Sequence, residues 1–249
     1  MEARVPAVVS RADRRLAPAL TAAVLAAVAA WPFLRQSPED AGAAAAAGFA
    51  SPLVLDLDGR GRWTADGDTV FDIDGDGRPD RLRDLGPDGG ILVFDANADG
   101  VPGQSGKELL GTSSDIDGDG SADGRADGFE ALAALAHEAF HRGWITEASL
   151  RAGHLGTVEL KALEAGFGLR VRVGGLRGRD LSLKDAGVAA LRLSAEPSRR
   201  RPVADGAGSE LSRRDGAAFL RDDGTPAVYA DVWLKFRNAL SAEPLSARR

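Results

Sequence analysis

Oxygen-bearing side chains recur at fixed spacing in one part of this chain. Four hexapeptides carry the pattern: Asp56-Leu57-Asp58-Gly59-Arg60-Gly61, Asp72-Ile73-Asp74-Gly75-Asp76-Gly77, Asp95-Ala96-Asn97-Ala98-Asp99-Gly100 and Asp115-Ile116-Asp117-Gly118-Asp119-Gly120. Each reads D-x-[DN]-x-D-G, except that the first holds Arg60 at position 5. The chemistry this pattern suits is coordination of a hard cation, since Ca²⁺ takes six to eight oxygens at roughly 2.3–2.6 Å. Side chains at positions 1, 3 and 5 converge on one ion only if the backbone turns sharply, and glycine at position 6 permits the turn. Asp80 and Asp123 add an acid at position 9 of the second and fourth loops. An EF-hand closes with an acid at position 12. Here Asp68, Asp84 and Asp127 fall one residue later, and in the third loop Glu108 lies one residue beyond that.

The expected Ca²⁺ ligand sets follow from this spacing. One comprises Asp72, Asp74, Asp76 and Asp80, with Asp84 closing. Another comprises Asp115, Asp117, Asp119 and Asp123, with Asp127 closing. A third uses Asp95, Asn97 and Asp99, closed by Glu108, and Asp56 and Asp58 form a weaker fourth. The plain alternative is a set of solvated Asp-Gly turns between strands. Four such loops in tandem favour several bound Ca²⁺ ions over that alternative.

A second metal pattern competes. His137-Glu138-Ala139-Phe140-His141 is a literal H-E-x-x-H. On a helix, two histidines four apart share a face and can bind Zn²⁺, with Glu138 as general base of a metalloprotease. Catalytic zinc needs a third protein ligand. In the extended form of the motif that ligand is a histidine, but Trp144 and Glu147 stand at its glycine and histidine positions. Glu159, Glu164 and His154 are the other candidates, and none has a signature spacing. The expectation is a non-enzymatic protein, with a calcium-stabilised zinc metallopeptidase as the alternative. The chain has no cysteine, no G-x-S-x-G and no phosphate-binding glycine loop.

Charge supports the metal reading. Residues 51–130 hold 19 acids against 7 bases, whereas residues 131–249 hold 14 against 19. So dense a negative region repels itself without counterions and makes nucleic acid a poor partner. Arg4, Arg11, Arg14 and Arg15 precede an uncharged stretch, Leu16–Leu34, and an Ala-rich segment follows. That order reads as an export signal or N-terminal anchor, so the expected location is extracytoplasmic, with membrane contact only through this segment. A calcium-dependent interaction module with an unknown protein partner is a third reading.

The elements that must position these loops read as follows. Residues 1–50 are signal or anchor plus linker, and 51–127 are the tandem acidic loops with short strands at Leu53–Leu55, Thr69–Phe71 and Ile91–Phe94. Residues 128–240 hold a small helical unit, with helices over 128–142, 146–155 and 157–165, and then strands, including a hairpin around Asp222–Pro226. Residues 241–249 are a disordered tail. Glu138–Ile145 keeps the glycine and aliphatic positions of an EF-hand loop without its ligands. The expected fold class is α+β: strands with EF-hand-like loops, a helical unit and a C-terminal antiparallel section, forming one composite domain.

The stretch Ser51-Pro52-Leu53-Val54-Leu55-Asp56-Leu57-Asp58-Gly59 resembles the calcium-binding module of iron-regulated, RTX-type bacterial exoproteins. Phe71–Gly77, Leu92–Asn97, Glu108–Gly111, Gly128–Leu132 and Ala230–Leu234 extend the resemblance. It implies a secreted or surface protein whose folding is driven by calcium. Some members of that family cleave themselves at an Asp-Pro bond before the first loop. The corresponding bond here is Ser51-Pro52, so the attacking carboxylate is absent and self-cleavage is not expected.

Overall fold

The computed structural model describes residues 48–60, 63, 67–193, 201–202, 208–212 and 218–239. The expected export segment up to residue 47 and the tail 241–249 lie outside these. In chain order the strands are β1 (Phe49–Ala50), β2 (Leu53–Asp56), β3 (Asp68–Phe71), β4 (Asp80–Arg83), β5 (Gly89–Val93), β6 (His154–Leu155), β7 (Arg170–Val173), β8 (Arg179–Leu181), β9 (Val188–Arg192), β10 (Arg201–Pro202), β11 (Glu210–Ser212), β12 (Ala218–Arg221) and β13 (Pro226–Asn238). Helices α1 (Gly128–His141), α2 (Glu147–Arg151) and α3 (Thr157–Phe167) fall between β5 and β7.

The strands form one antiparallel sheet whose main path runs β6-β9-β12-β13-β2-β5-β7-β8 and curls into a half-barrel. The 13-residue β13 is its spine, pairing in turn with β12, β2, β11, β1 and β4. Apolar residues alternate between two buried faces. Leu53, Leu55, Leu92, Val171 and Tyr229 face one side, where Phe129, Leu132 and Leu135 of α1 and Leu160 and Leu163 of α3 cover them. Val54, Ile91, Val93, Ala230, Val232 and Leu234 face the other, against Phe71, Ile73, Leu82, Leu85 and Leu176. Burial on both faces explains why Leu53-Val54-Leu55 and Ile91-Leu92-Val93-Phe94 are unbroken apolar runs rather than alternating ones.

Carboxylates fix α1 to the sheet. The Asp127 side chain caps the helix by accepting from the Glu130 amide at 2.8 Å, and Glu130 reaches back to accept from the Ala126 amide at 2.7 Å. Asp231, fully buried on β13, accepts from the Gly128 amide at 2.9 Å. These bonds satisfy amides that have no partner within the helix and put negative charge at its positive end.

The α+β expectation is overturned, because the protein is β-dominated. Helices of 14, 5 and 11 residues are outweighed by thirteen strands among the described residues. The acidic loops join strands or irregular segments, not helix pairs, and β13 merges the early and late strands into a single sheet. The helix expected over 146–155 is shorter, since His154 and Leu155 pair with β9. The hairpin around Asp222–Pro226 is present as β12–β13. No helix of the described residues is long and apolar enough to cross a membrane.

Candidate metal centre

Three of the four acidic loops begin at or just beyond a strand end. Asp56 ends β2, Asp72 follows β3 and Asp95 follows β5. Loops two, three and four then fold by the same hydrogen bonds. The position-6 amides of Gly77, Gly100 and Gly120 donate to the position-1 carboxylates of Asp72, Asp95 and Asp115 at 3.1, 2.8 and 2.8 Å. The position-5 amides of Asp76, Asp99 and Asp119 donate to the position-3 side chains of Asp74, Asn97 and Asp117 at 3.1, 2.9 and 3.1 Å. The position-5 carboxylates of Asp76, Asp99 and Asp119 accept from the amides of Arg78, Val101 and Ser121 at 2.8, 2.9 and 2.8 Å. Backbone donors therefore orient acids that would otherwise swing apart, and in loops two and four three acids come together. Position 4 takes positive φ throughout, at Gly59, Gly75 and Gly118 and at Ala98, with φ of 57° the one non-glycine residue of this kind among those described.

The closing acids are not where EF-hand spacing puts them. Asp80 and Asp123, both at position 9, accept from the position-2 amides of Ile73 and Ile116 at 3.2 and 2.8 Å. Asp72, Asp74 and Asp80 each bring an oxygen within 4.8 Å of the others, as do Asp115, Asp117 and Asp119. An Asp72 oxygen is buried there without a hydrogen-bond donor. Burial, reinforced by the Asp74 charge, pushes the Asp80 carboxyl up to about 7. Burial also raises the Asp74 and Asp115 carboxyls, the former further through its Asp76 and Asp72 neighbours and the latter against the amides that hold it. A cation joining such a site would favour the ionised acids.

In loop three Glu108 is the buried acid. It accepts from the Gln104 amide at 2.7 Å, and burial, then the charges of Asp95 and Asp99, raise its carboxyl. The Gln104 side chain donates to Asp99 at 2.6 Å, which lowers that acid. Asp84 and Asp127, expected to close loops two and four, hold amides of neighbouring elements. The Asp84 carboxylate holds the amides of Leu85 and Leu176 at 2.7 and 2.8 Å, pinning the β7–β8 turn. Asp127 is the cap of α1. In both cases a twelve-residue offset carries the chain out of the loop and into the next element.

Loop one differs in charge. The Arg60 amide donates to Asp58 as in the other loops, but the Arg60 side chain also ion-pairs with Asp58 at 3.3 Å. From β12, Arg221 donates to the carbonyl oxygens of Asp56 and Leu57 at 3.3 and 3.2 Å. One guanidinium thus pairs with the position-3 carboxylate of loop one, and a second holds the loop's backbone.

The zinc alternative gains no third ligand. His137 and His141 share a face of α1, and burial together with the His141 charge lowers His137. Glu138 pairs with Arg142 at 2.8 Å. Glu159 accepts from Ser149 and the Gly156 amide, Glu164 from the Leu183 amide, and His154 contacts the Ala152 carbonyl. Among the described residues, the acid and histidine groups close enough to hold an ion include neither His137 nor His141.

Sequence reasoning missed Arg221, 165 residues from Asp56, and Gln104, which no loop pattern marks. The fold and loops together define an antiparallel β-sheet protein carrying tandem acidic loops, three of them at strand ends. A family model described as the SPM domain matches residues 53–146, from β2 through the four loops to the end of the α1–α2 turn. No curated protein matches the chain.

Proposed function

We propose that this protein is an exported, non-enzymatic calcium-binding protein whose acidic loops take up ions at Asp72/Asp74/Asp76/Asp80, at Asp95/Asn97/Asp99/Glu108 and at Asp115/Asp117/Asp119/Asp123. The observation that carries the reading is the threefold repetition of one hydrogen-bond scheme that gathers carboxylates against their mutual repulsion. The resemblance to RTX-type calcium modules supports it, as does the acidic excess of residues 51–130. Oxygen-only donors favour Ca²⁺ over a transition metal. The bound ions neutralise the loops and order the strands from which they spring.

The test is elemental mass spectrometry of protein purified without chelator. Two or more calcium ions per chain with negligible zinc is the expected result; near-stoichiometric zinc or no metal refutes the reading. Mutating Asp74 and Asp117 together to Ala should abolish the calcium-induced gain in far-UV circular dichroism.

A further inference from the structure

We infer that the single helical turn Gly106–Glu108 couples loops two, three and four, so that calcium binds them cooperatively; this rests on the calcium reading above. The three residues each serve a different loop. The Gly106 amide donates to the Asp72 carbonyl at 2.7 Å, and the backbones approach so closely that a Cβ on Gly106 would overlap the Ile73 carbonyl. The Lys107 carbonyl accepts from the Asp115 amide at 2.9 Å, at the first position of loop four, while the Lys107 side chain packs on Gly75 of loop two. The Glu108 carboxylate feels the charges of Asp95 and Asp99 in loop three, and its carbonyl accepts from the Phe94 amide at 2.9 Å, one residue before Asp95. Loops three and four also meet directly, since a Cβ on Gly118 would lie 2.8 Å from the Ala96 carbonyl.

Ordering this turn is a shared requirement. The first ion to bind fixes the position-1 residue of its loop and, through it, the turn. Later ions then meet loops that are already braced, which is positive coupling through ordering. Like-charge repulsion works in the same direction, because each ion lowers the net negative charge of the acidic region.

The position-6 glycine amides provide one reporter per loop, because each donates to the first ligand of its own site. In the full-length chain, titration with calcium chloride followed by amide NMR should move Gly77, Gly100 and Gly120 along one steep curve. Asp117→Asn alters only loop four at an exposed position, yet it should raise the calcium midpoints of Gly77 and Gly100 at least about fivefold. Glu108→Gln should do the same to Gly77 and Gly120, and serves if the first variant folds poorly. Unchanged midpoints at the unmutated loops overturn the coupling while leaving calcium binding intact. No response of any of the three amides in the unmutated chain overturns the calcium reading itself, and the coupling with it.

Discussion

Replacing Asp80 with Asn should stabilise the metal-free protein and destabilise the calcium-bound one. Asp80 is 3% exposed, and its carboxyl lies raised from an ordinary 3.8 to about 7 by burial and by Asp74. That displacement corresponds to at most about 4 kcal/mol against the ionised form. Solvent reaches the loop mouth and screens part of it, which leaves about 2 kcal/mol as a working figure. Asn keeps the size of the side chain and an oxygen to accept from the Ile73 amide, and removes the charge. Because the folded value lies above the unfolded one, the folded state holds this proton more tightly. The contribution is therefore fully present below about pH 4 and is lost as pH rises towards about 7. In chelator, the gain from Asp80→Asn should be near zero at pH 4, grow through that window and reach about 2 kcal/mol at pH 8. In saturating calcium the sign reverses, because the variant's neutral Asn is a weaker ligand than the carboxylate and the unmutated protein gains more binding free energy. Urea unfolding followed by tryptophan fluorescence, with and without chelator, measures both. A pH-independent effect in chelator, or equal signs in the two conditions, refutes the reasoning.

Three further outcomes are expected. Ala98→Gly relieves a positive φ at an exposed loop position and should raise stability by about 0.5–1 kcal/mol in chemical denaturation. Gly111→Ala would overlap the Ser51 carbonyl where β2 meets the Gly111 bridge, and should lower stability by about 3 kcal/mol or more, read as a fall in urea midpoint. Arg60→Asp combined with Arg221→Met restores the loop-one pattern and removes its internal cations, so elemental analysis should find one more calcium per chain than in the unmutated protein.

Much of the loop chemistry was legible because it is local. Positions 1, 3, 5 and 6 are set within six residues, and the acids at position 9 fall within the same turn. Glu108 was named because loop three has no nearer acid, and it is buried beside that loop. Spacing alone does not say where a loop ends, and it gave no sign that Asp84 and Asp127 hold the amides of Leu176 and Glu130. The fold class was misread for a longer-range reason. Strands at Leu53–Leu55 and Ile91–Phe94 were visible as apolar runs, but nothing in Pro226–Asn238 announces that it pairs with both β2 and β4. The charge at loop one was half legible: Arg60 interrupts the pattern in plain sight, whereas Arg221 arrives from a strand more than 160 residues away.

The position of β13 in the chain has a consequence for biogenesis. Every strand it joins precedes it, so a ribosome or a translocation channel delivers the whole acidic region before the segment that completes the sheet. Until Pro226–Asn238 emerges, β2 and β4 lack a neighbour and the nascent chain has no closed core on either face. Such non-local pairing is slow to form. The order of synthesis thus builds in a delay, and the arrival of β13 sets the moment at which this sheet can close.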